Sequence, residues 1–190
     1  MNRFEIWFCG SSLWRYITER RLLPWLLSGC WLGDRVLEVG AGPGATTREL
    51  RRRSARVTSL EYDPVSVAKL AARHKGARGD VLRGDASALP FADGMFSSVI
   101  AILVLHHLKS REQQDRALAE FHRVLRPGGV FLAFEIQDGW MQRFSHIGST
   151  FVPVSPSSVS ARLSAAGFGK TAVDFQSSGF RICAYRSGQA

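Results

Sequence analysis

Cysteine is scarce in this sequence: Cys9, Cys30 and Cys183 are the only three in 190 residues. They are odd in number, far apart along the chain and form no CxxC pair, so neither a disulfide framework nor a zinc site is indicated and no metal ligand set is expected. A reduced compartment follows, which makes the cytoplasm the expected location. Long apolar runs are missing too, and nothing approaches the ~18 residues of a membrane-spanning helix. Internal repeats and low-complexity linkers are absent, so the length suits one compact domain. One short signal cuts the other way. Leu27-Ser28-Gly29-Cys30 has the form of a lipoprotein cleavage box behind Arg20 and Arg21. The apolar stretch before it, 22–27, is shorter than the usual ~7–15 residue core and contains Pro24, so a cleaved leader is not expected.

What is present in excess is positive charge. The formal net charge is +9, which suits an anionic partner such as nucleic acid or a lipid headgroup layer. The charge is spread along the chain, however. Its densest cluster (Arg48, Arg51, Arg52, Arg53 and Arg56) falls at the end of one predicted helix. That is also the pattern of an ordinary enzyme with an Arg-rich face. The 45% hydrophobic and 22% charged residues are those of a globular protein.

Hydrophobic periodicity alternates between strand and helix along the chain. Residues 35–39 form a short apolar run ending at glycine; a helix is predicted over 44–54 and a strand over 56–61. Asp63-Pro64 caps a helix reaching about His74. A third strand spans 79–84, and the long apolar run 96–105 reads as a central strand buried on both faces. A helix over 110–125 carries Leu118, Phe121, Val124 and Leu125 on one stripe and stops at Arg126-Pro127-Gly128-Gly129. A fifth strand follows over 130–136, a helix within 138–149, and another from Ser155-Pro156 to Gly167. Residues 168–176 and 180–186 then make a hairpin around Ser177-Ser178-Gly179. Repeated βα units imply an α/β fold, a three-layer Rossmann-like sandwich around a mainly parallel sheet, with an antiparallel hairpin at one edge.

Residues 1–32 stand apart from the domain at 33–190. They hold Phe4, Trp7, Phe8, Trp14, Tyr16, Trp25 and Trp31, with Leu13, Ile17, Leu22 and Leu23 adding an apolar stripe. Such a segment packs on the domain, forms a lid over a substrate, or makes peripheral contact with a membrane interface.

Three motifs carry chemistry. Glu38-Val39-Gly40-Ala41-Gly42-Pro43-Gly44 places a glycine turn between a strand and a helix, where backbone can approach a ligand closely. Alone it is ambiguous, because Gly40, Gly42 and Ala45 also fit the dinucleotide pattern G-x-G-x-x-G/A. Glu61, at the end of the second strand, can accept hydrogen bonds from two ribose hydroxyls and repels a 2′-phosphate. Gly84-Asp85-Ala86 follows the third strand, and its carboxylate can take the amino group of an adenine; as a purely local feature it is an Asx-type turn cap.

Taken in order, these motifs resemble a known family. The Glu-x-Gly-x-Gly-x-Gly loop, Glu61, Gly84-Asp85-Ala86, Leu89-Pro90-Phe91 with Gly94 and Phe96, Leu105-His106-His107-Leu108 and Arg123-Val124-Leu125-Arg126-Pro127-Gly128-Gly129 are similar to class I S-adenosylmethionine-dependent methyltransferases. The ubiquinone and menaquinone methyltransferases are the subgroup most like it. The resemblance implies a seven-stranded sheet and S-adenosyl-L-methionine as cofactor. It implies that Gly40, Ala41, Gly42 and Gly44 line the methionine part, with Glu38 shaping the loop and helping the amino group. Glu61 would hold the ribose, Asp85 and Ala86 would flank the adenine, and Ile102 would face the cofactor from the fourth strand. His106 would sit near the methyl group as the candidate base, since imidazole titrates near neutral pH. Its local alternative is a structural histidine closing the strand. His107 is expected to pack or face solvent, and Glu135, Asp138 and His146 are second-choice pocket residues. One departure is visible: Ser97 stands where the family carries aspartate after Phe96, a position read as structural. The acceptor expected is a small, hydrophobic or lipid-like molecule. No Asn/Asp-Pro-Pro-Tyr/Phe sequence and no Pro-Cys pair occurs, which counts against a nucleic-acid substrate, although RNA and a non-catalytic cofactor-binding role stay open.

Overall fold

The computed structural model describes residues 3–54, 56–74, 80–177 and 179–188. Two short helices come first, α1 (Arg3–Cys9) and α2 (Ser12–Ile17). Ser11 caps α2 by accepting the Trp14 N–H at 3.0 Å. A single π-helical turn, Thr18–Leu22, leads into α3 (Leu23–Leu26). Pro24 explains the widened turn: it has no N–H for the carbonyl four residues back, and its ring crowds that carbonyl.

The domain proper runs β1 (Arg35–Val39), α4 (Thr47–Arg53), β2 (Arg56–Glu61), α5 (Pro64–Arg73), β3 (Val81–Arg83) and β4 (Phe96–Ile102). It continues through α6 (Arg111–Val124), β5 (Leu125–Glu135), α7 (Trp140–Ser145), α8 (Pro156–Ala165), β6 (Phe168–Gln176) and β7 (Gly179–Arg186). The strands form one seven-stranded sheet in the order β3-β2-β1-β4-β5-β7-β6. β1 to β5 pair in parallel, whereas β7 is antiparallel to both β5 and β6. This is the expected mainly parallel sheet with an antiparallel edge hairpin. The strand order reverses between β1 and β4, and such switch points leave a crevice at the carboxyl ends of the strands.

Period-two alternation divides the core between the two faces of the sheet. Leu37, Val39, Val99, Phe131 and Ala133 pack with Leu118, Phe121 and Val124 of α6 and with Val159 and Leu163 of α8. Val36, Ile100, Val130, Leu132 and Phe134 pack with Leu50 of α4 and with Leu22, Leu23, Leu26, Leu27 and Leu32 from the leading segment. That segment is therefore half core. Its Trp7, Leu13, Tyr16 and Trp31 stay exposed, and the Phe4 side chain lies outside what is described. None of the described helices is long and apolar enough to cross a membrane.

Four boundaries differ from the sequence expectation, each for a local reason. The helix predicted from Gly44 begins at Thr47, because Gly40, Gly42 and Gly44 all take left-handed φ of +67°, +52° and +90°. The central strand stops at Ile102 rather than Leu105, since Leu103 turns the chain with φ 58° and Leu105–His107 form a 3-10 turn. β5 begins at Leu125, ahead of the glycines, because Leu125 pairs with Phe96 and a register shift absorbs the turn before Val130 pairs with Ser98. The third strand begins at Val81; its predicted start at Gly79 and the hairpin tip at Ser178 lie outside the described residues.

Candidate functional site

A cleft of ≈ 770 Å3 opens over the carboxyl ends of the strands, at the switch point. That is near the top of the ~300–1,000 Å3 range of small-ligand sites, enough for two ligands side by side. Two differently built walls meet in it.

The first wall is the glycine loop and its carboxylates. A Cβ on Gly40 would run into the Val104 side chain, and one on Gly44 would come within 2.6 Å of Leu70. Gly40, Ala41 and Gly42 line the cleft, whereas Gly44 does not; it is needed for the turn rather than for contact. Glu38 reaches the cleft wall, but its buried carboxylate accepts from the hydroxyls of Thr46, Thr47 (2.6 Å) and Ser59 (2.9 Å). Burial pushes its pKa up, and those hydroxyls pull against that rise. Its observed work is to tie β1, β2 and the start of α4 together. Glu61 accepts the Tyr62 and Asp63 N–H groups on Oε1 (2.8 and 2.9 Å) and the Gly42 N–H on Oε2 at 2.7 Å. It couples the end of β2 to the loop. Asp85 uses Oδ1 for the Ser87 N–H and hydroxyl, 2.8 and 2.7 Å, so the Asx turn and a place on the cleft wall coexist. Ala86 and Ile102 line the same wall. Behind it, Arg123 donates to the Phe91 and Leu89 carbonyls, and Glu120 accepts the Leu89 N–H at 2.7 Å. This clasp gives the Leu89-Pro90-Phe91 motif its shape.

Ser97 takes up the structural work its position demands. Its hydroxyl accepts the Arg35 N–H at 3.0 Å and lies 2.7 Å from the Leu32 carbonyl, joining the start of β4 to the start of β1.

The second wall is built around Glu135, the fully buried last residue of β5. Its Oε1 accepts the Val104 and Leu105 N–H groups (3.0 and 2.8 Å), and its Oε2 lies 2.5 Å from His106 Nδ1. One carboxylate thus holds both the strained exit of β4 and the imidazole that follows it. His106, His107 and His146 stack edge and face with ring centroids 4.2, 5.2 and 5.3 Å apart, backed by Phe151. All three histidines line the cleft. His107 therefore belongs to the wall. Burial, and then the positive charge available to its neighbour His106, push its pKa down to about 4.

Two second-choice residues, Glu135 and His146, are brought to the site, and the third is not. Asp138 sits at the surface in a two-pronged pair with Arg143, 2.6 and 2.8 Å. Of the three roles open to residues 1–32, the lid is the one their placement favours: Glu5, Phe8, Cys9, Trp14 and Ile17 of α1 and α2 line the cleft. Burial and the nearby carboxylates of Glu5 and Glu61 push the Cys9 thiol up to about 11, so it stays protonated and poorly nucleophilic. Cys30 and Cys183 lie elsewhere, their sulfurs 3.7 Å apart despite a sequence separation of 153.

Known proteins resemble the chain in sequence and in fold. The chain is 41% identical over 102 residues to a fatty-acid O-methyltransferase of Mycolicibacterium smegmatis, covering 53% of this chain and 36% of that protein. It is 30% identical over 142 residues to the demethylmenaquinone methyltransferase of Corynebacterium kroppenstedtii, covering 75% and 56%. Across the curated relatives it matches, it spans 30–56% of their length. Its fold superposes on an S-adenosylmethionine-dependent methyltransferase of Mesorhizobium loti with a TM-score of 0.74 at 18% identity, covering 89% of this chain and 98% of that one. The family model for a methyltransferase domain matches residues 37–133, from the strand before the glycine loop to the strand that ends in Glu135, and the chain belongs to that methyltransferase domain family.

Proposed function

We propose that the chain transfers the methyl group of S-adenosylmethionine to a small, hydrophobic or lipid-like acceptor. The observation that carries this reading is the continuity of one cleft from the Gly40–Gly42 loop, Glu61 and Asp85 to the His106–Glu135 pair under an aromatic roof.

The residues present fit the cofactor. The open side of Gly42 leaves room for a ligand, Glu61 offers a carboxylate to ribose hydroxyls, and Asp85 and Ala86 stand where an adenine would lie across the strand ends. When bound, the cofactor supplies an already activated methyl group on a sulfonium. The chain then has to align an acceptor for in-line attack and exclude water. α1 and α2 do the excluding, through Phe8, Trp14 and Ile17. Where the acceptor must lose a proton, His106 Nε2 takes it, while Nδ1–H stays on Glu135 and holds the ring in place. The pair resembles the base-and-orienter arrangement of other proton-transfer sites.

Two features favour an apolar acceptor. The relatives include enzymes named for a quinone and a fatty acid. Exposed Trp7, Leu13 and Tyr16 on α1 and α2, with Trp140, Met141 and Phe144 on α7, surround the roof with apolar surface suited to a lipid interface. RNA is less well served, because Arg52 and Arg53 of the basic cluster pair with Glu49, and Arg56 pairs with Asp80. The test is to incubate the protein with methyl-labelled cofactor and a cell extract, then separate lipid, RNA and protein. Label in the lipid fraction supports the reading. Label in RNA, or none at all, overturns it.

A further inference from the structure

We propose that His106, His107 and His146 bind a divalent transition-metal ion of the zinc class at the acceptor end of the cleft. One ring nitrogen of each histidine lies within 4.8 Å of the other two. The hydrogen bonds identify which nitrogen is available. His106 Nδ1 faces Glu135 Oε2 at 2.5 Å, His107 Nδ1 faces the Thr150 carbonyl at 3.2 Å, and His146 Nδ1 faces the Gln142 carbonyl at 2.6 Å. Carboxylate and carbonyl oxygens only accept, so each Nδ1 carries the proton. Each Nε2 is left with its lone pair, on three rings that line one cleft.

Three imidazoles held in the same tautomer by oxygen acceptors behind them is the arrangement that orients histidines on a metal. A carboxylate–histidine pair such as Glu135–His106 is its strongest form, because it fixes the ring and makes Nε2 more basic. Three histidines with an open fourth position also suit a metal that meets a ligand or water. Tetrahedral coordination with bonds of ~2.0–2.1 Å sets ring nitrogens ~3.3 Å apart, closer than the 4.8 Å within which one nitrogen of each ring already lies, so binding draws the rings together. Glu5 Oε1, 3.6 Å from His146 Nε2, stands beside the fourth position. A proton shared between His146 and Glu5 would account for that one pair, but it gives no reason for His106 and His107 to converge on the same point. Imidazole ligands without thiolate select zinc, cobalt, nickel or copper over magnesium or calcium. A bound ion would occupy His106 Nε2 in place of a proton; an acceptor hydroxyl on the ion would be acidified and would release its proton to solvent rather than to His106.

Metal binding is tested independently of cofactor binding. Untagged full-length protein is stripped with a chelator, dialysed, and titrated calorimetrically with Zn2+; Co2+ loading is followed by visible absorption. The expected result is one equivalent of Zn2+, the intense visible bands of tetrahedral cobalt, and a higher melting temperature on loading. His146→Ala and His107→Gln should each weaken Zn2+ binding at least ~100-fold, a larger loss than the ~10–100-fold typical of an outer partner. His122→Gln, packed against Phe168 and outside the cleft lining, should leave it unchanged. Circular dichroism and S-adenosylmethionine affinity of the metal-free variants verify that they fold. The proposal is overturned if the parent shows no stoichiometric binding and no cobalt bands, or if folded His146→Ala and His107→Gln bind Zn2+ as the parent does. Retained cofactor affinity in that case would leave the methyltransferase reading standing.

Discussion

The two walls of the cleft are made by opposite means. The wall proposed for the cofactor is mostly local: a glycine turn, an Asx turn after β3, and a carboxylate at the end of β2 that accepts the Gly42 N–H from 19 positions away. The wall proposed for the acceptor is assembled across the chain. Glu135 reaches back about 30 positions to Val104, Leu105 and His106, and Glu5 accepts from Ser149 across 144. Local geometry constrains a ligand common to many proteins, whereas long-range assembly can be re-specified by a few substitutions without disturbing the sheet. The wall that generalises is the one written in motifs.

If this contrast is right, damage to the long-range wall should cost stability, and damage to the local wall should cost cofactor affinity alone. Glu135→Ala should show the largest effect. It orphans two buried N–H groups and removes the partner of His106, at ~1–3 kcal/mol for each unsatisfied group, so about 3 kcal/mol or more in all. Urea unfolding measures it. A loss under about 1 kcal/mol would mean that Glu135 is not the organising residue. Glu135→Gln, which retains the shape and can still accept on one oxygen, should recover much of the stability but little of the activity.

On the cofactor wall, Glu61→Ala and Asp85→Ala should each weaken S-adenosylmethionine binding about tenfold or more, or ~1.4 kcal/mol, with only a small change in melting temperature. Calorimetry decides this, and unchanged affinity in both variants would remove the site assignment. The same asymmetry governs what could be read in advance. Glycine spacing, and the places of Glu61 at the end of β2 and Asp85 after β3 on the cleft wall, were legible because the order of strands and turns fixes where those residues fall. The sheet, its hairpin and the burial of the fourth strand were legible from periodicity. His107 was not, because a His-His pair leaving a strand gives no sign of which ring turns inward; both line the cleft. Asp138 and Glu135 were equally plausible on paper, and the strand end separates them. Glu135 completes β5 beneath His106, whereas Asp138, three residues later, meets Arg143 in solvent.

The leading segment tests the contrast from a third side, since Trp14 lines the cleft while packing on the core cluster that holds Leu22, Leu23 and Leu26. Trp14→Ala should trim the roof while leaving Leu22, Leu23 and Leu26 in place. The expected effect is about a fivefold rise in KM for an apolar acceptor, equivalent to ~1 kcal/mol of lost apolar contact, with cofactor affinity unchanged. If Trp14→Ala instead weakens both ligands equally, the roof serves the whole cleft and the two walls are not independent.

The smallest effect belongs to the clasp behind the wall proposed for the cofactor, where α6 holds the Leu89-Pro90-Phe91 motif from 31 positions away. The Arg123 guanidinium, and then the Leu89 N–H, hold the Glu120 carboxyl below its usual range. Because the folded pKa is depressed, the stabilisation is fully present above the unfolded pKa of ~4.3 and disappears as pH falls through the folded value. Glu120→Gln should therefore cost at most about 1 kcal/mol near neutral pH, as a water-screened pair would, and the gap between variant and parent should close on acidification below pH ~4. Melting temperatures of both proteins across that range measure it. A gap that persists in acid would mean that the charge on Glu120 is incidental and that shape alone holds Leu89-Pro90-Phe91. The motif would then be as self-contained as the glycine loop, and the division between local and assembled walls would extend to the support behind them.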